Sequence, residues 1–166
     1  MRITTGGLSQ GRTAFHDVMS AEAAGIPTDE IKFLEPIDVT AVVTRMGFDV
    51  YVDLTVRTAV KLSCGRCLEE FRHDLEARSQ MLFIPAEHAD KGPHARTAEG
   101  GVFLYREYID LTDRVTEMIR ETLPMKPLCR HDCRGLCPHC GQNLNEGQCN
   151  CTPAEEEYRP FKDLKL

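Results

Sequence analysis

Eight cysteines are the residues of this chain whose type and spacing most clearly allow chemistry. Short turns that contain glycine or proline aim neighbouring thiolates at one point, as a tetrahedral zinc ion with Zn–S bonds of about 2.3 Å requires. Because eight thiols divide evenly into two four-sulfur sites, the sequence predicts two structural Zn²⁺ ions. The predicted ligands are Cys64, Cys67, Cys129, Cys133, Cys137, Cys140, Cys149 and Cys151.

Two Cys-x-x-Cys segments, residues 64–67 and 137–140, are typical of zinc knuckles. Disulfides are the first alternative, but residues 1–10 are polar and lack the apolar core of a signal peptide, so an oxidising compartment is not expected. A thioredoxin-like redox pair is the second, but neither segment lies between a strand and a helix of a βαβ unit. Iron is the third, and the knuckle spacing without a ferredoxin-like cysteine run favours zinc.

The composition limits the remaining classes of protein. A chain of 166 residues is long enough for one domain with a hydrophobic core and a small metal-stabilised appendage. No run of about 18 apolar residues is present to span a membrane, and a cytoplasmic location is expected. The net charge is -6, and two four-thiolate zinc sites would add two negative charges each. Bulk charge therefore gives no general affinity for nucleic acid.

Three segments alternate apolar and polar residues and are predicted to be strands with one buried face: residues 37–43, 48–63 and 71–83. Met46 and Gly47 are predicted to form a hairpin turn between the first two. Cys64 and Cys67 then lie at the tip of a long hairpin formed by the second and third. A metal at that tip would fix the strand register, because a one-residue slip would move the cysteines and invert the faces.

Helical spacing appears in two places. After a short strand over residues 102–108, apolar residues every three or four positions predict a packing helix over 110–123, with Asp110 as N-cap and Pro124 ending it. A short helix is also predicted over residues 17–24, closed by Gly25.

Residues 85–101 are predicted to be a mobile loop, because alanines are their only apolar side chains. His88 and His94 of this loop are interpreted as solvated rather than metal-bound, because flexible ligands cost ordering entropy.

The predicted fold is α+β: a twisted, mostly antiparallel β-sheet with a long hairpin, one packing helix and a C-terminal cysteine-rich zinc module. Two units are expected. Residues 1–123 form a β-rich body that includes the helix and the loop, and residues 124–166 form the zinc-binding module and a C-terminal tail.

Basic side chains near the cysteines are candidates for contact with RNA or another partner. They are Arg66, Arg72, Lys126, Arg130 and Arg134. A small basic face around a zinc site could clamp phosphates, whereas the same cations could merely offset thiolate charge. Both interpretations remain open, and the knuckles carry no aromatic pair on which bases would stack.

Several motifs taken together resemble the YceD-like family, whose members are named for large ribosomal RNA subunit accumulation. They are the Ser-Cys-Gly-Arg-Cys-Leu-Glu tip at 63–69, Ile109-Asp110-Leu111, Leu123-Pro124, Gly135-Leu136-Cys137-Pro138, Asn143-Leu144-Asn145 and Cys149-Asn150-Cys151. The resemblance covers about residues 48–166. The first third resembles the family only loosely. The tail has Tyr158-Arg159-Pro160-Phe161 where many relatives have Asp-Pro-Arg.

The resemblance implies a non-catalytic factor that supports maturation or accumulation of 23S ribosomal RNA in large-subunit assembly. Its partner would be pre-ribosomal 23S rRNA or a large-subunit ribosomal protein, with no membrane and no small-molecule substrate. Variation of the cysteines within the family implies one zinc on Cys64, Cys67, Cys129 and Cys133, and another on Cys137, Cys140, Cys149 and Cys151. A rival pairing joins the two knuckles. The first is favoured because four local ligands close a smaller loop.

Two functions of other classes remain as alternatives. One is a protein-interaction adaptor whose zinc module orders a docking surface that includes Phe161 and Leu164. The other is an enzyme, either a zinc hydrolase or a thiol oxidoreductase, which needs an open metal position or a reactive dithiol. No His-Glu-x-x-His, phosphate-binding glycine loop or Gly-x-Ser-x-Gly element supports an enzyme.

Overall fold

The computed structural model describes residues 1–27, 29–88 and 101–151. Within these ranges the chain forms eight strands, two 3-10 turns at Thr5–Gly7 and Ala86–His88, and one helix. The strands and helix are β1 (Arg2–Thr4), β2 (Gly11–Met19), β3 (Lys32–Phe33), β4 (Ile37–Met46), β5 (Asp49–Ser63), β6 (Glu70–Pro85), β7 (Val102–Tyr105), β8 (Tyr108–Asp110) and α1 (Thr112–Thr122).

One large sheet has the order β2-β4-β5-β6-β7, and β3 pairs with β5. Its longest pairing joins β5 to β6, from Val50 opposite Phe83 to Ser63 opposite Glu70. β7 runs parallel to β6, whereas the other pairs of this sheet are antiparallel. β1 and β8 form a separate antiparallel ribbon. The predicted α+β class, mostly antiparallel sheet and long hairpin are confirmed.

Strict alternation of side chains places one face of each central strand in the core. The buried side chains on this face are Ile37, Val39, Ala41 and Val43 of β4, Val50, Val52, Leu54, Val56, Thr58 and Val60 of β5, and Leu75, Ala77, Met81 and Phe83 of β6. Ala59 and Ile84, on the opposite face, are buried as well. Phe48 was predicted to share this buried face but is 62% exposed. It lies in the hairpin turn after Gly47, before pairing begins at Asp49, so the pleat does not control its direction.

The predicted helix is present and packs on the sheet. Val115, Met118 and Ile119 of α1 are buried in the core. The helix begins at Thr112, two residues later than predicted, and Asp110 is the last residue of β8. The N-cap is Leu111 and not Asp110 as predicted, although Asp110 Oδ1 accepts a hydrogen bond from the Thr112 backbone N–H at 3.0 Å.

The helix predicted over residues 17–24 is wrong. Residues 11–19 form β2, which pairs with β4 from Gly11 opposite Arg45 to Met19 opposite Ile37. Nine cross-strand pairs supply more contacts than an isolated two-turn helix can. Gly25 has a φ of +69° but closes a turn in which the Ile26 N–H donates to the Ala21 carbonyl.

Two further segments differ in detail from prediction. The strand expected over 102–108 is broken at Arg106 and Glu107 into β7 and β8. Of the predicted loop, Pro85 ends β6 and Ala86–His88 form a 3-10 turn, while residues 89–100, including His94, lie outside the described residues. The His88 ring packs edge-on against Phe48, with 5.0 Å between ring centroids.

Membrane insertion through a helix finds no support in the described ranges, because α1 is too short and too polar to cross a bilayer.

Asp110 gives the fold a pH dependence. Arg2 Nε donates to Asp110 Oδ2 at 2.7 Å, and Thr112 also donates to this carboxylate. Burial opposes ionisation, but these hydrogen bonds outweigh it and lower the pKa of Asp110 to about 2, from its usual 3.8. The pKa of Asp110 is therefore lower in the folded chain than in the unfolded chain. The stabilisation is therefore present above pH 3.8 and is lost as the pH falls towards 2.

We expect Asp110→Asn to lower the free energy of unfolding at pH 7, measured by urea titration, because it removes the ionised carboxylate that Arg2 and Thr112 stabilise. The expected loss is only about 1 to 2 kcal/mol, because the carboxylate is about one-third exposed and solvent screens its charge. The difference from wild type should shrink as the pH approaches 2. Asp113→Asn, in the exposed first turn of α1, should cost about 0.5 kcal/mol. A difference for Asp110→Asn that does not change with pH would contradict this assignment.

Candidate metal centres

The tip of the β5–β6 hairpin positions the first two cysteines. The Cys64 N–H donates to the Glu69 carbonyl at 2.9 Å, and the Leu68 N–H donates to the Cys64 carbonyl at 3.0 Å. The Arg66 N–H points at Cys64 Sγ, at 3.5 Å. These bonds close a tight turn between two long strands and place Cys64 and Cys67 on the same turn.

Four sulfurs converge at this tip, and we call the group site 1. Its members are Cys64, Cys67, Cys129 and Cys133, whose Sγ atoms all lie within 4.8 Å of one another. The Cys64–Cys133 and Cys67–Cys129 Sγ distances are 3.7 and 3.6 Å. A tetrahedral zinc with bonds of about 2.3 Å requires sulfurs about 3.8 Å apart, whereas a disulfide requires about 2.05 Å. The donor set and its spacing therefore fit a metal ion.

A second group, which we call site 2, lies wholly within the C-terminal segment. It comprises Cys137, Cys140, Cys149 and Cys151, again with all sulfurs within 4.8 Å. The His139 N–H points at Cys137 Sγ at 3.4 Å, and the Gly141 N–H donates to the Cys137 carbonyl at 2.9 Å. This is the backbone pattern of the hairpin tip. Site 2 is the more open of the two, because Cys140 is exposed and only Cys137 is buried.

The structure therefore groups the eight cysteines in the pairing that the family resemblance implied, and the rival group of two knuckles is not formed. None of the eight cysteines forms a disulfide. Either group could hold a metal ion.

Backbone amides already favour thiolates in both knuckles. The Cys67 backbone N–H, with those of Cys129 and Arg66, lowers the pKa of Cys64 to about 6 despite burial. The backbone N–H groups of Cys140 and His139 lower the pKa of Cys137 to about 6.

Burial and neighbouring thiols raise the pKa of other cysteines in the two sites. The Glu69 N–H favours the Cys67 thiolate, but burial and the adjoining thiols raise the pKa of Cys67 to about 12. The hydrogen bond with Cys140 and burial raise the pKa of Cys151 to about 12. A divalent cation at the centre of each group would favour the thiolate form of all four cysteines, because metal coordination deprotonates thiols.

Asn145 contacts a candidate ligand of site 1, and the sequence did not single it out as a site residue. Its Nδ2 donates to Cys133 Sγ at 3.3 Å, which lowers the pKa of Cys133. Its Oδ1 accepts from the Arg134 N–H and from Arg130 Nη2, both at 2.8 Å. Because Asn145 lies between Cys140 and Cys149, it connects the loop of site 2 to a ligand of site 1.

The hairpin tip and the C-terminal segment meet through backbone bonds. The Gly65 N–H donates to the Pro127 carbonyl at 2.8 Å, and the Leu136 N–H donates to the Arg66 carbonyl at 3.1 Å. Gly135 sits against the tip with a φ of +78°, and a Cβ added there would lie 3.1 Å from the Arg66 carbonyl oxygen. Site 1 and this backbone contact together fasten the C-terminal segment to the sheet.

Three of the five predicted basic contact residues are engaged within the protein. Arg66 Nη1 donates to the Cys133 carbonyl at 2.7 Å. Arg72 pairs with Glu35 and Asp74, and Arg130 pairs with Asp132 and Asn145. The side chains of Lys126 and Arg134 make no hydrogen bond or ion pair within residues 1–27, 29–88 and 101–151. A role of these five residues in partner binding stays a prediction.

We expect Asn145→Ala to weaken metal binding at site 1 by about 10- to 100-fold, as is usual when a partner of a ligand is removed. Competition of the full-length chain against a chromophoric chelator, with Zn²⁺ as titrant, measures this directly. Asn150→Ala, an exposed amide between two ligands of site 2, is the matched control and should leave site 1 unchanged. Equal affinities in all three chains would show that the Asn145 bond is incidental.

The family model described as "Large ribosomal RNA subunit accumulation protein YceD" matches residues 52–166, which include all eight cysteines. The chain is 31% identical over 127 residues to "Uncharacterized protein ML1660" of Mycobacterium leprae, covering 76% of this chain and 58% of that protein.

Two plant relatives carry a descriptive name, "Large ribosomal RNA subunit accumulation protein YCED homolog 1, chloroplastic". The Arabidopsis thaliana protein is 24% identical over 156 residues, covering 78% of this chain. The Zea mays protein is 26% identical over 145 residues, covering 71%. The matches span 49% of each plant protein, so this chain spans about half the length of its named relatives. No solved structure shows significant similarity to the chain.

Proposed function

The chain belongs to the YceD family, and on that premise we propose that it is a non-catalytic factor that supports 23S rRNA maturation in large-subunit assembly. Family membership implies a role in accumulation of the large ribosomal RNA. The observation that carries the finer proposal is site 1, in which two ligands from the hairpin tip meet two from the C-terminal segment. A metal there would order a surface that neither segment could hold alone.

The metal of this proposal is zinc, with one structural ion in each site. Four sulfurs complete a tetrahedral coordination shell, whereas a catalytic zinc keeps one position for water or substrate. All eight thiols are then ligands, and none remains as a redox nucleophile. Reduced thiols in this number are compatible with the cytoplasm, where the factor would meet ribosomal precursors.

The surface that we assign to partner binding lies at the metal-bearing end of the molecule. It comprises the hairpin tip at residues 64–69 and the segment 125–134. Lys126 and Arg134 supply cations, and Leu68 and Met125 supply exposed apolar side chains. Metal binding would hold both segments rigid, which lowers the entropy cost of docking on a component of the precursor.

Depletion of the chain in its own cells tests this function. We expect the ratio of 23S to 16S rRNA to fall and 23S precursors to accumulate, and the wild-type chain to restore both. Cys64→Ser should fail to restore them. Arg12→Ala, an exposed change on the edge strand β2, should restore them fully. An unchanged ratio on depletion, together with no co-sedimentation with large-subunit precursors at any salt concentration, would refute the proposal.

A further inference from the structure

Residues 141–148 connect the two ligand pairs of site 2, and we call them the connecting loop. The Leu144 N–H of this loop donates to the Gly135 carbonyl at 2.8 Å. Asn143 forms an isolated antiparallel bridge with Leu136. Both partners lie in the short segment between the last ligand of site 1 and the first ligand of site 2. The middle of the connecting loop is therefore paired with backbone that leads directly out of site 1.

Two asparagine side chains add bonds between the connecting loop and site 1. Asn145 Nδ2 donates to Cys133 Sγ at 3.3 Å and to Asn143 Oδ1 at 2.9 Å. Asn143 Nδ2 in turn donates to Glu69 Oε1 at 2.9 Å. Glu69 belongs to the hairpin tip, where its backbone carbonyl accepts the Cys64 N–H. The connecting loop thus contacts both halves of site 1, the hairpin tip and the C-terminal segment.

The same loop shapes site 2. The Cys137 N–H donates to the Gln142 carbonyl at 2.8 Å, so the start of the loop folds back on the knuckle. The Glu146 N–H donates to the Asn143 carbonyl at 3.2 Å, but no backbone hydrogen bond holds residues 147–151 among the described ranges. A metal ion in site 2 would therefore be the main tie between the second ligand pair and the knuckle.

Ordering of the connecting loop lowers its conformational entropy, and an ion in either site would impose part of that order. An ion in site 1 fixes Cys133 and, through the bonds of Leu144 and Asn145, holds the loop near the conformation that site 2 requires. A second ion then binds with a smaller loss of entropy, which is positive cooperativity. The coupling is reciprocal, because an ion in site 2 favours binding at site 1 by the same factor.

We propose that the two sites bind zinc cooperatively, with the connecting loop and Asn145 as the physical link between them. The inference rests on the two zinc ions of the proposed function and not on its role in rRNA maturation. Each site gains affinity once the other is filled, so half-loaded chains are less populated than two independent sites would give. Attachment of the C-terminal segment to the hairpin tip then responds to zinc supply more steeply than site 1 alone would.

A thermodynamic cycle tests this coupling in the full-length chain under reducing conditions. Cys129→Ser leaves site 2 as the single complete site, and Cys151→Ser leaves site 1. Zn²⁺ is titrated into both variants and into wild type in competition with a chromophoric chelator. For independent sites, the product of the two wild-type association constants equals the product of the two single-site constants. We expect the wild-type product to be larger by a factor of about 10 or more.

Asn145→Ala, introduced into all three chains, should bring this factor towards one, because it removes the side-chain link and keeps every ligand of the wild-type sites. Gln142→Ala changes an exposed amide of the same loop and is the matched control. It should leave the factor unchanged.

A factor of one in the chains that carry Asn145 overturns the inference. A larger factor that Asn145→Ala leaves unchanged overturns the link through Asn145. Fewer than two zinc ions bound by wild type removes one of the two sites, and the inference fails with it. Depletion that leaves 23S rRNA unchanged would refute the proposed role in rRNA maturation but would leave cooperative zinc binding standing.

Discussion

The Cys64→Ser chain should bind one zinc ion in place of two and should be the most damaged of the variants considered. Cys64 is fully buried at the hairpin tip and shares site 1 with two ligands from the C-terminal segment. Structural zinc–thiolate sites contribute apparent binding energies of about 10 kcal/mol or more, and loss of one ligand forfeits much of that. We expect a loss of stability on the order of 5 kcal/mol, which for a chain of this size lowers the Tm by at least about 10 °C.

Release of the C-terminal segment should accompany this loss. Limited proteolysis should cut Cys64→Ser within residues 124–128 under conditions where the wild type is intact. Cys151→Ser is the matched control, because it removes one ligand of the more open site 2 and leaves the hairpin tip tied by site 1. It should also lose one zinc, but with a smaller fall in Tm. Two zinc ions and a wild-type Tm in Cys64→Ser would contradict the assignment of site 1.

Gly135→Ala should cost about 2 to 4 kcal/mol of unfolding free energy, although Gly135 supplies no ligand side chain. The added methyl group would lie 3.1 Å from the Arg66 carbonyl oxygen and 3.3 Å from Arg66 Cβ, at a φ of +78°. The backbone of the tip is fixed by its own hydrogen bonds and cannot retreat cheaply. The measurement is equilibrium unfolding in urea of the zinc-loaded chain, with zinc content recorded in parallel.

Gly141→Ala separates the two causes of that cost. Its φ of +75° imposes nearly the same backbone penalty, but nothing lies within 4 Å of an added Cβ. We expect it to lose only about 1 kcal/mol, the penalty for an L-residue in the left-handed region. Equal losses for Gly135→Ala and Gly141→Ala would show that the contact with Arg66 contributes nothing.

The central strands could be predicted because one face of each is buried. Ile37 to Val43 alternate without exception, and a one-residue slip would expose all of them, so pattern and register agree. β2 was missed because it is the edge strand, with only Met19 of its nine residues fully buried. What makes β2 a strand is its ladder with β4, which a local pattern does not contain.

The candidate site was predictable to the extent that it depends on residue type. Cysteines separated by two residues indicate a metal site wherever they lie in the fold, and the eight cysteines form two groups of four as expected. Asn145 and Gly135 carry no such signal. Their roles come from contacts with Cys133 and Arg66, which only the folded chain brings to them. The same holds for Arg72, whose charge is visible in the sequence while its neutralisation by Glu35 is not.

The most direct test of two closed zinc sites is the metal content of the full-length chain, purified under reducing conditions, with reactive thiols counted before and after chelation. We predict two zinc ions per chain, no reactive thiols before chelation and eight afterwards. One zinc or none, with several thiols reactive from the start, would contradict the account and return the free cysteines to redox or catalytic chemistry.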